Sequence, residues 1–269
     1  MVIAIYPQSL PDTAVRIPTL FKSNLPGIQQ GAIPDMKKKS AGILGGMGPE
    51  ATIDLMSRVV RCTPAKDDID HIRMVIDNNP QVPSRIKALY EKTGEDPVPC
   101  IQDMARRLEA FGVDFLAMPC NTAHYYFDKI QNVVGIPFLN MIEIASKKIV
   151  QDLPEAHAVG ILASTVVLEL GLYEKEFAKY RVRLITPPQP IQDELMRAIR
   201  LIKTGQYDEK VLETLQIAAD TLVGLGAEAI IVACTELSII SSGLRSSAIC
   251  YDSAQILAEA IVEKAHCET

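Results

Sequence analysis

The chain has 269 residues, 48% of them hydrophobic and 22% charged, with a formal net charge of −6. That length and apolar content can bury a core of one large or two modest domains. The acidic balance argues against nucleic acid or an anionic membrane surface as the main partner, so an acidic ligand would need locally placed cations.

Residues 1–38 carry five prolines and no helical periodicity, and they run into the lysines Lys37, Lys38 and Lys39. They read as an extended, non-catalytic N-terminal extension. The first residues lack the basic and long apolar regions of a secretory signal, and charges and prolines break every apolar run before it could span a bilayer. The expected compartment is the cytoplasm. The six cysteines, with no C-x-x-C pair, read as reduced thiols rather than a disulfide framework.

From residue 40 the pattern alternates strand and helix. Strands are predicted at 40–46, 71–77, 115–119 and 135–140. Helices are predicted over 51–61, 99–112, from about 121, and over 141–150, the first opened by Pro49 and the second closed by Gly112. The second half gives strands at 157–163, 181–186, 229–233 and 248–252. Its helices are predicted at 168–180, about 190–203, 208–223 and 253–267. This alternation predicts parallel sheets with helices on both faces and ligands beyond the carboxyl ends of the strands.

Two stretches repeat. FGVDFLAMPCN (111–121) and LGAEAIIVACT (225–235) align without gaps at an offset of 234 − 120 = 114, and Gly42-Ile43-Leu44 matches Gly160-Ile161-Leu162. Such repetition suggests duplicated lobes. The expected fold is α/β, with two pseudo-symmetric lobes, each a mostly parallel sheet flanked by helices, and an active site in the cleft between them. Residues 39–137 plus 250–269 are assigned to the first lobe and 138–249 to the second.

The repeat sets Cys120 and Cys234 at equivalent strand ends, each followed by small polar residues and a helix start. A lone strand-end cysteine reads as a small core hydrophobe; two equivalent ones suit acid–base chemistry on opposite faces of one carbon. A helix N-terminus contributing roughly 1–2 kcal/mol would lower a thiol pKa by about one unit and raise the thiolate fraction. Asn121, Thr122 and Thr235 would offer donors to a carboxylate at the same helix ends.

Three further segments are informative. Gly45-Gly46-Met47-Gly48-Pro49 can serve as a structural turn or approach a small anion. With Glu50-Ala51 it also fits a dinucleotide fingerprint, although Asp77 lies further away than the usual ribose acid. Asn78–Arg85 is a polar loop stiffened by two prolines that could present Gln81 and the Arg85 fork. Lys203, late in a helix, is a C-terminal charge or a second cation. His124, four residues after Cys120, reads as support for the thiol or packing, with a Cys–His nucleophile pair as the alternative.

The segments GILGGMGPEAT, NNPQVPSR, MPCNTAH, GLYEKEF and VACTEL, in this order, resemble the cofactor-independent aspartate/glutamate racemase family over about residues 39–267. The resemblance implies two-base racemisation with Cys120 and Cys234 as paired acid and base, aspartate as first substrate, a homodimer, and neither pyridoxal phosphate nor metal. It implies carboxylate binding by Arg85, by Asn121, Thr122 and Ala123, and by Lys203. Where the family usually carries a hydroxyl this chain has Val167, with Thr165 as the expected substitute. Sister activities on the same fold (glutamate or hydantoin racemase, maleate isomerase) and a catalytically silent amino-acid-binding protein are the alternatives.

Overall fold

The computed structural model describes residues 38–267, so the N-terminal extension falls, but for Lys38, outside the described residues. The first sheet has the order β2-β1-β3, built from β1 (Ala41–Gly45), β2 (Met74–Asn78) and β3 (Phe115–Ala117). The second has the order β5-β4-β6-β7, built from β4 (Ala158–Ala163), β5 (Arg183–Ile185), β6 (Ala229–Ala233) and β7 (Ile249–Asp252). All these pairings are parallel. The first three strands of each half occupy the same relative places, so the repeat in sequence is also a repeat in topology.

The matched glycines explain part of that repeat. A Cβ on Gly42 would stand 2.8 Å from Leu116 Cδ2, and one on Gly160 would stand 2.9 Å from Leu222 Cβ. Each central strand is therefore bare where neighbouring side chains press closest. Those neighbours come from β3 in the first half and from α8 (Glu209–Gly224) in the second.

Helices cover both faces of each sheet, as parallel strands require. Helix α1 (Pro49–Cys62) starts with Pro49 in its first turn, and α2 (Val98–Phe111) stops at Gly112, whose φ of +89° suits the left-handed C-cap. After β3 come a 3₁₀ turn (Thr122–Tyr126), α3 (Phe127–Gln131) and α4 (Met141–Asp152). The second half adds α5 (Thr165–Glu169), α6 (Leu172–Ala178), α7 (Gln189–Ile202), α9 (Thr235–Ile240) and α10 (Ser253–His266). Asn140 and Asp252 cap α4 and α10 by accepting from Ile142 N–H at 3.1 Å and Ala254 N–H at 2.8 Å.

The two capped helices cross over. Ile142, Ala145 and Ile149 of α4 pack with Val159, Ile161 and Ile231 of the second sheet. Leu257, Ala258 and Ile261 of α10 pack with Ile43 and Phe115 of the first sheet and with Leu55 of α1. No described helix is long and apolar enough to cross a membrane.

Three expectations change. Residues 250–252, assigned to the first lobe, pair with β6 in the second sheet. The segment 135–140 makes a single bridge, Leu116 to Phe138, because Pro137 has no N–H to donate to a ladder. The stretch 168–180 is two short helices, interrupted at Gly171, whose φ is +60°.

Candidate active site

The carboxyl ends of β1, β3, β4 and β6, with the loop after β2, converge on one pocket. Met47 reaches it from β1, Ser84 and Arg85 from the loop, and Cys120, Asn121 and Thr122 from β3. Ser164 comes from β4, Cys234, Thr235 and Glu236 from β6, and Ile199 and Lys203 from α7. The two repeat-related thiols therefore line one cavity, and both are buried, at 6% exposure.

The glycine turn is a structural device that delivers Met47. Gly46 has φ +89°, and a Cβ there would lie 2.2 Å from the Asn79 carbonyl carbon. The Gly46 N–H donates to Thr52 Oγ1 at 2.9 Å, tying the turn to α1. Asp77, the ribose acid of the dinucleotide reading, is instead paired with Arg107 at 3.3 Å.

Around Cys120 the supports are neutral. Met141 N–H donates to His124 Nε2 at 3.1 Å, so the network places the proton on Nδ1, which donates to the Cys120 carbonyl at 2.9 Å. Burial pulls the His124 pKa below its ordinary value, against the opposing effect of the Cys120 and Leu139 carbonyls. His124 is thus a neutral clamp on the cysteine's backbone, and its ring nitrogens bond main-chain atoms rather than the thiol. Tyr173 O–H donates to Asn121 Oδ1 at 2.6 Å, and Asn121 Nδ2 donates to Ser253 Oγ at 3.2 Å. Asn121 lines the pocket, and its amide is braced from behind by α6 and α10.

Around Cys234 the setting is charged. Its thiol donates to Glu236 Oε2 at 3.2 Å, and Glu236 Oε1 lies 3.5 Å from Lys203 Nζ. Burial pushes the Cys234 thiol well above its ordinary pKa, Glu236 pushes it further, and Lys203 opposes both. The expected lowering by a helix end is outweighed here, because burial and the carboxylate beside the sulfur both disfavour the thiolate. Burial acts to lower the Lys203 pKa, but Glu236 and the two thiols outweigh it and the ammonium is held above its usual value.

Arg85 donates through Nη1 to the Val82 and Pro83 carbonyls at 3.1 and 3.0 Å. These bonds lock the guanidinium against its own rigid loop and leave its remaining donors for a ligand. Three expected residues lie off the pocket. Gln81 is exposed, its N–H held by Asn79 Oδ1 at 3.0 Å, and Ala123 is fully buried in the first-lobe core. Thr165 accepts from Gln192 and lines an adjoining cleft with Tyr90.

Its neighbour Ser164 supplies the hydroxyl instead, 3.4 Å from Thr122 Oγ1. Val167 packs into the second-lobe core beside Ala163 and Tyr173, so its methyls replace no group in the thiol pocket. Ser84, Ser164 and Glu236 fall in the strand-end segments Asn78–Arg85, Ser164–Thr165 and Cys234–Glu236, where the alternation of elements predicts a ligand, although the sequence assigns them no role of their own. Ile86, Ile199 and Ala233 are not anticipated from sequence as pocket residues. Among the described residues no cluster of three or more His, Cys, Asp or Glu side chains is gathered for a metal ion.

Comparison with known proteins gives this geometry a context. The chain is 30% identical over 227 residues to the broad specificity amino-acid racemase RacX of Bacillus subtilis, a match covering 82% of this chain and 96% of that one. The aspartate racemase of Picrophilus torridus superposes with a TM-score of 0.74 at 31% identity, covering 84% and 94% of the two chains. Glutamate racemase of Francisella tularensis, solved with D-glutamate, shares the fold at TM-score 0.62 and 16% identity, over 85% and 81% of the two chains. The family described as Asp/Glu/Hydantoin racemase matches residues 44–261, a span that contains every residue of the pocket. The chain belongs to this racemase family, and so to the isomerases.

Proposed function

We propose that the protein racemises an acidic amino acid, aspartate first, by proton transfer between Cα and two cysteines. One observation carries this reading: Cys120 and Cys234 arrive from equivalent strand ends of two sheets and line the same pocket. One sulfur, as thiolate, takes the α-proton, while the other, as thiol, gives a proton to the opposite face of the planar intermediate. In the reverse direction the roles exchange.

Arg85 is the cation held ready for a substrate carboxylate, and its planar fork suits one. Lys203 adds positive charge as the carboxylate gains enediolate character during proton removal. The hydroxyls of Thr122 and Ser164, 3.4 Å apart in the lining of the pocket, would receive a second carboxylate. The likeness to an aspartate racemase at 31% identity supports aspartate as first choice.

Chiral chromatography of L-aspartate incubated with the purified protein, without pyridoxal phosphate, tests the reading. D-aspartate is expected to accumulate towards equal amounts. Unchanged L-aspartate alongside rapid conversion of a neutral or basic amino acid would replace aspartate with a broad specificity like that named for the Bacillus subtilis relative.

A further inference from the structure

The repeat that matches Cys120 with Cys234 also matches Thr122 with Glu236, since 236 − 122 = 114. At this position the two halves differ: one offers a hydroxyl, the other a carboxylate. Thr122 Oγ1 lies 3.4 Å from Ser164 Oγ, while Glu236 sits between the Cys234 thiol and the Lys203 ammonium. Among the described residues Glu236 is the one acidic side chain lining the pocket; it is only 7% exposed, and its Oε1, though 3.5 Å from Lys203 Nζ, has no hydrogen-bond partner.

On the two-thiol reading above, we propose that Glu236 is the positioning residue that makes the pair asymmetric, holding Cys234 as the resting proton donor and leaving Cys120 as the resting base. The geometry favours this because a sulfur 3.2 Å from a carboxylate oxygen is held as S–H: a thiolate there would be a second anion at hydrogen-bond distance. Among the described residues no carboxylate is hydrogen-bonded to the Cys120 thiol, and the residues that follow it in the pocket are Asn121 and Thr122.

In a turnover from the resting form the Cα–H bond breaks and its proton passes to the Cys120 sulfur. The Cys234 S–H bond then breaks, and its proton is delivered to the opposite face of the carbon. Exchange with solvent restores the starting arrangement.

The charged and titratable groups around this pair come from several elements. Lys203 approaches from the end of α7, Arg85 from the loop after β2, and Cys120 from the end of β3. Tyr173 stands behind on α6, and Asp252, at the end of β7, accepts from the Ser238 hydroxyl at 2.7 Å, an oxygen 3.3 Å from the Cys234 carbonyl. Lys203 faces both sulfurs, so removing the Glu236 charge leaves an uncompensated ammonium beside Cys234. Burial and the Glu236 charge together hold the Cys234 thiol high in the full chain.

The test is the rate of iodoacetamide alkylation at each cysteine, mapped by peptide mass spectrometry from pH 6 to 10. In the wild type Cys234 is expected to be alkylated more slowly than Cys120 at pH 7.5. In Glu236→Gln, Cys234 should react about tenfold faster at pH 7.5, the equivalent of one unit in midpoint, with a smaller change at Cys120. Glu236→Asp, which keeps the charge, should hold the wild-type order.

An unchanged Cys234 profile in Glu236→Gln, or a wild type in which Cys234 is alkylated faster, overturns the proposal. The wild-type order can be read even if the variant fails to fold. No turnover is needed, so a protein that failed to racemise aspartate would still report on Glu236.

Discussion

Thr235 donates its hydroxyl to the Pro119 carbonyl at 3.1 Å, joining the residue after one candidate thiol to the residue before the other. Both ends of this bond are buried, and it crosses between the two halves of the chain. It fixes how the strand ends that carry Cys120 and Cys234 approach each other. A bond in this place acts on the geometry of the pair and on stability together.

Thr235→Val is expected to keep the side-chain shape and lose the donor. Leaving the Pro119 carbonyl unpaired should cost about 1–3 kcal/mol of stability. A small displacement of one thiol should lower kcat by about tenfold to a hundredfold. Thr235→Ser should recover most of both. Urea unfolding and steady-state racemisation measure the two effects, and a Val variant with wild-type kcat would remove the bond from the catalytic account.

Tyr173→Phe tests the buried brace on Asn121. Burial raises the Tyr173 hydroxyl far above its ordinary pKa, so it stays a donor at all working pH values. Without it Asn121 Oδ1 loses its partner inside the protein, at a cost of about 1–3 kcal/mol. Thermal or urea unfolding reads this directly. A loss much smaller than this would mean that another donor replaces the hydroxyl.

Arg58 joins α1 to the segment that follows Cys234. Its Nε donates to Asp54 at 2.6 Å, Nη2 donates to the Ser238 carbonyl at 2.6 Å, and Nη1 lies 3.3 Å from Asp252. Its side chain is only 11% exposed, so Arg58→Met leaves two nearly buried carboxylates without their cation. The expected loss is about 3–5 kcal/mol in urea unfolding at pH 7. A stable Met variant would show that those carboxylates take up protons at little cost.

His124 gives the fold a defined response to acid. Its folded pKa is depressed, so below about pH 6.5 the unfolded chain binds a proton that the folded chain refuses. Stability is therefore lost as pH falls, with a slope of up to about 1.4 kcal/mol per pH unit from this one group. Urea unfolding between pH 7.5 and 5.5 should show a shallower decline in His124→Gln than in the wild type. Equal slopes would mean that His124 is protonated in the folded protein.

Much of this arrangement is legible in the sequence because it rests on local devices. Pro49, Gly112 and the matched glycines Gly42 and Gly160 mark element ends and close packing by their own stereochemistry. The two thiols are legible because the repeat places them. Partners supplied by distant segments are not legible in this way. The brace that Tyr173 and Ser253 form on the Asn121 amide is one such contact.

Thr165 and Ser164 are both hydroxyl residues at a strand end, and only the turn into α5 decides which faces the pocket. Glu236 lies inside a recognisable motif, but its effect depends on Lys203, which arrives from a helix more than thirty residues earlier. The placement of β7 depends on edge pairing, which the alternation of elements alone does not specify.

The most direct measurement is the isotopic content of each enantiomer early in the reaction, with L-aspartate as substrate in deuterated water and no pyridoxal phosphate. The two-cysteine account predicts D-aspartate carrying deuterium at Cα while the remaining L-aspartate still carries protium. D-aspartate retaining the original proton would mean that one group removes and returns it, and would contradict the account.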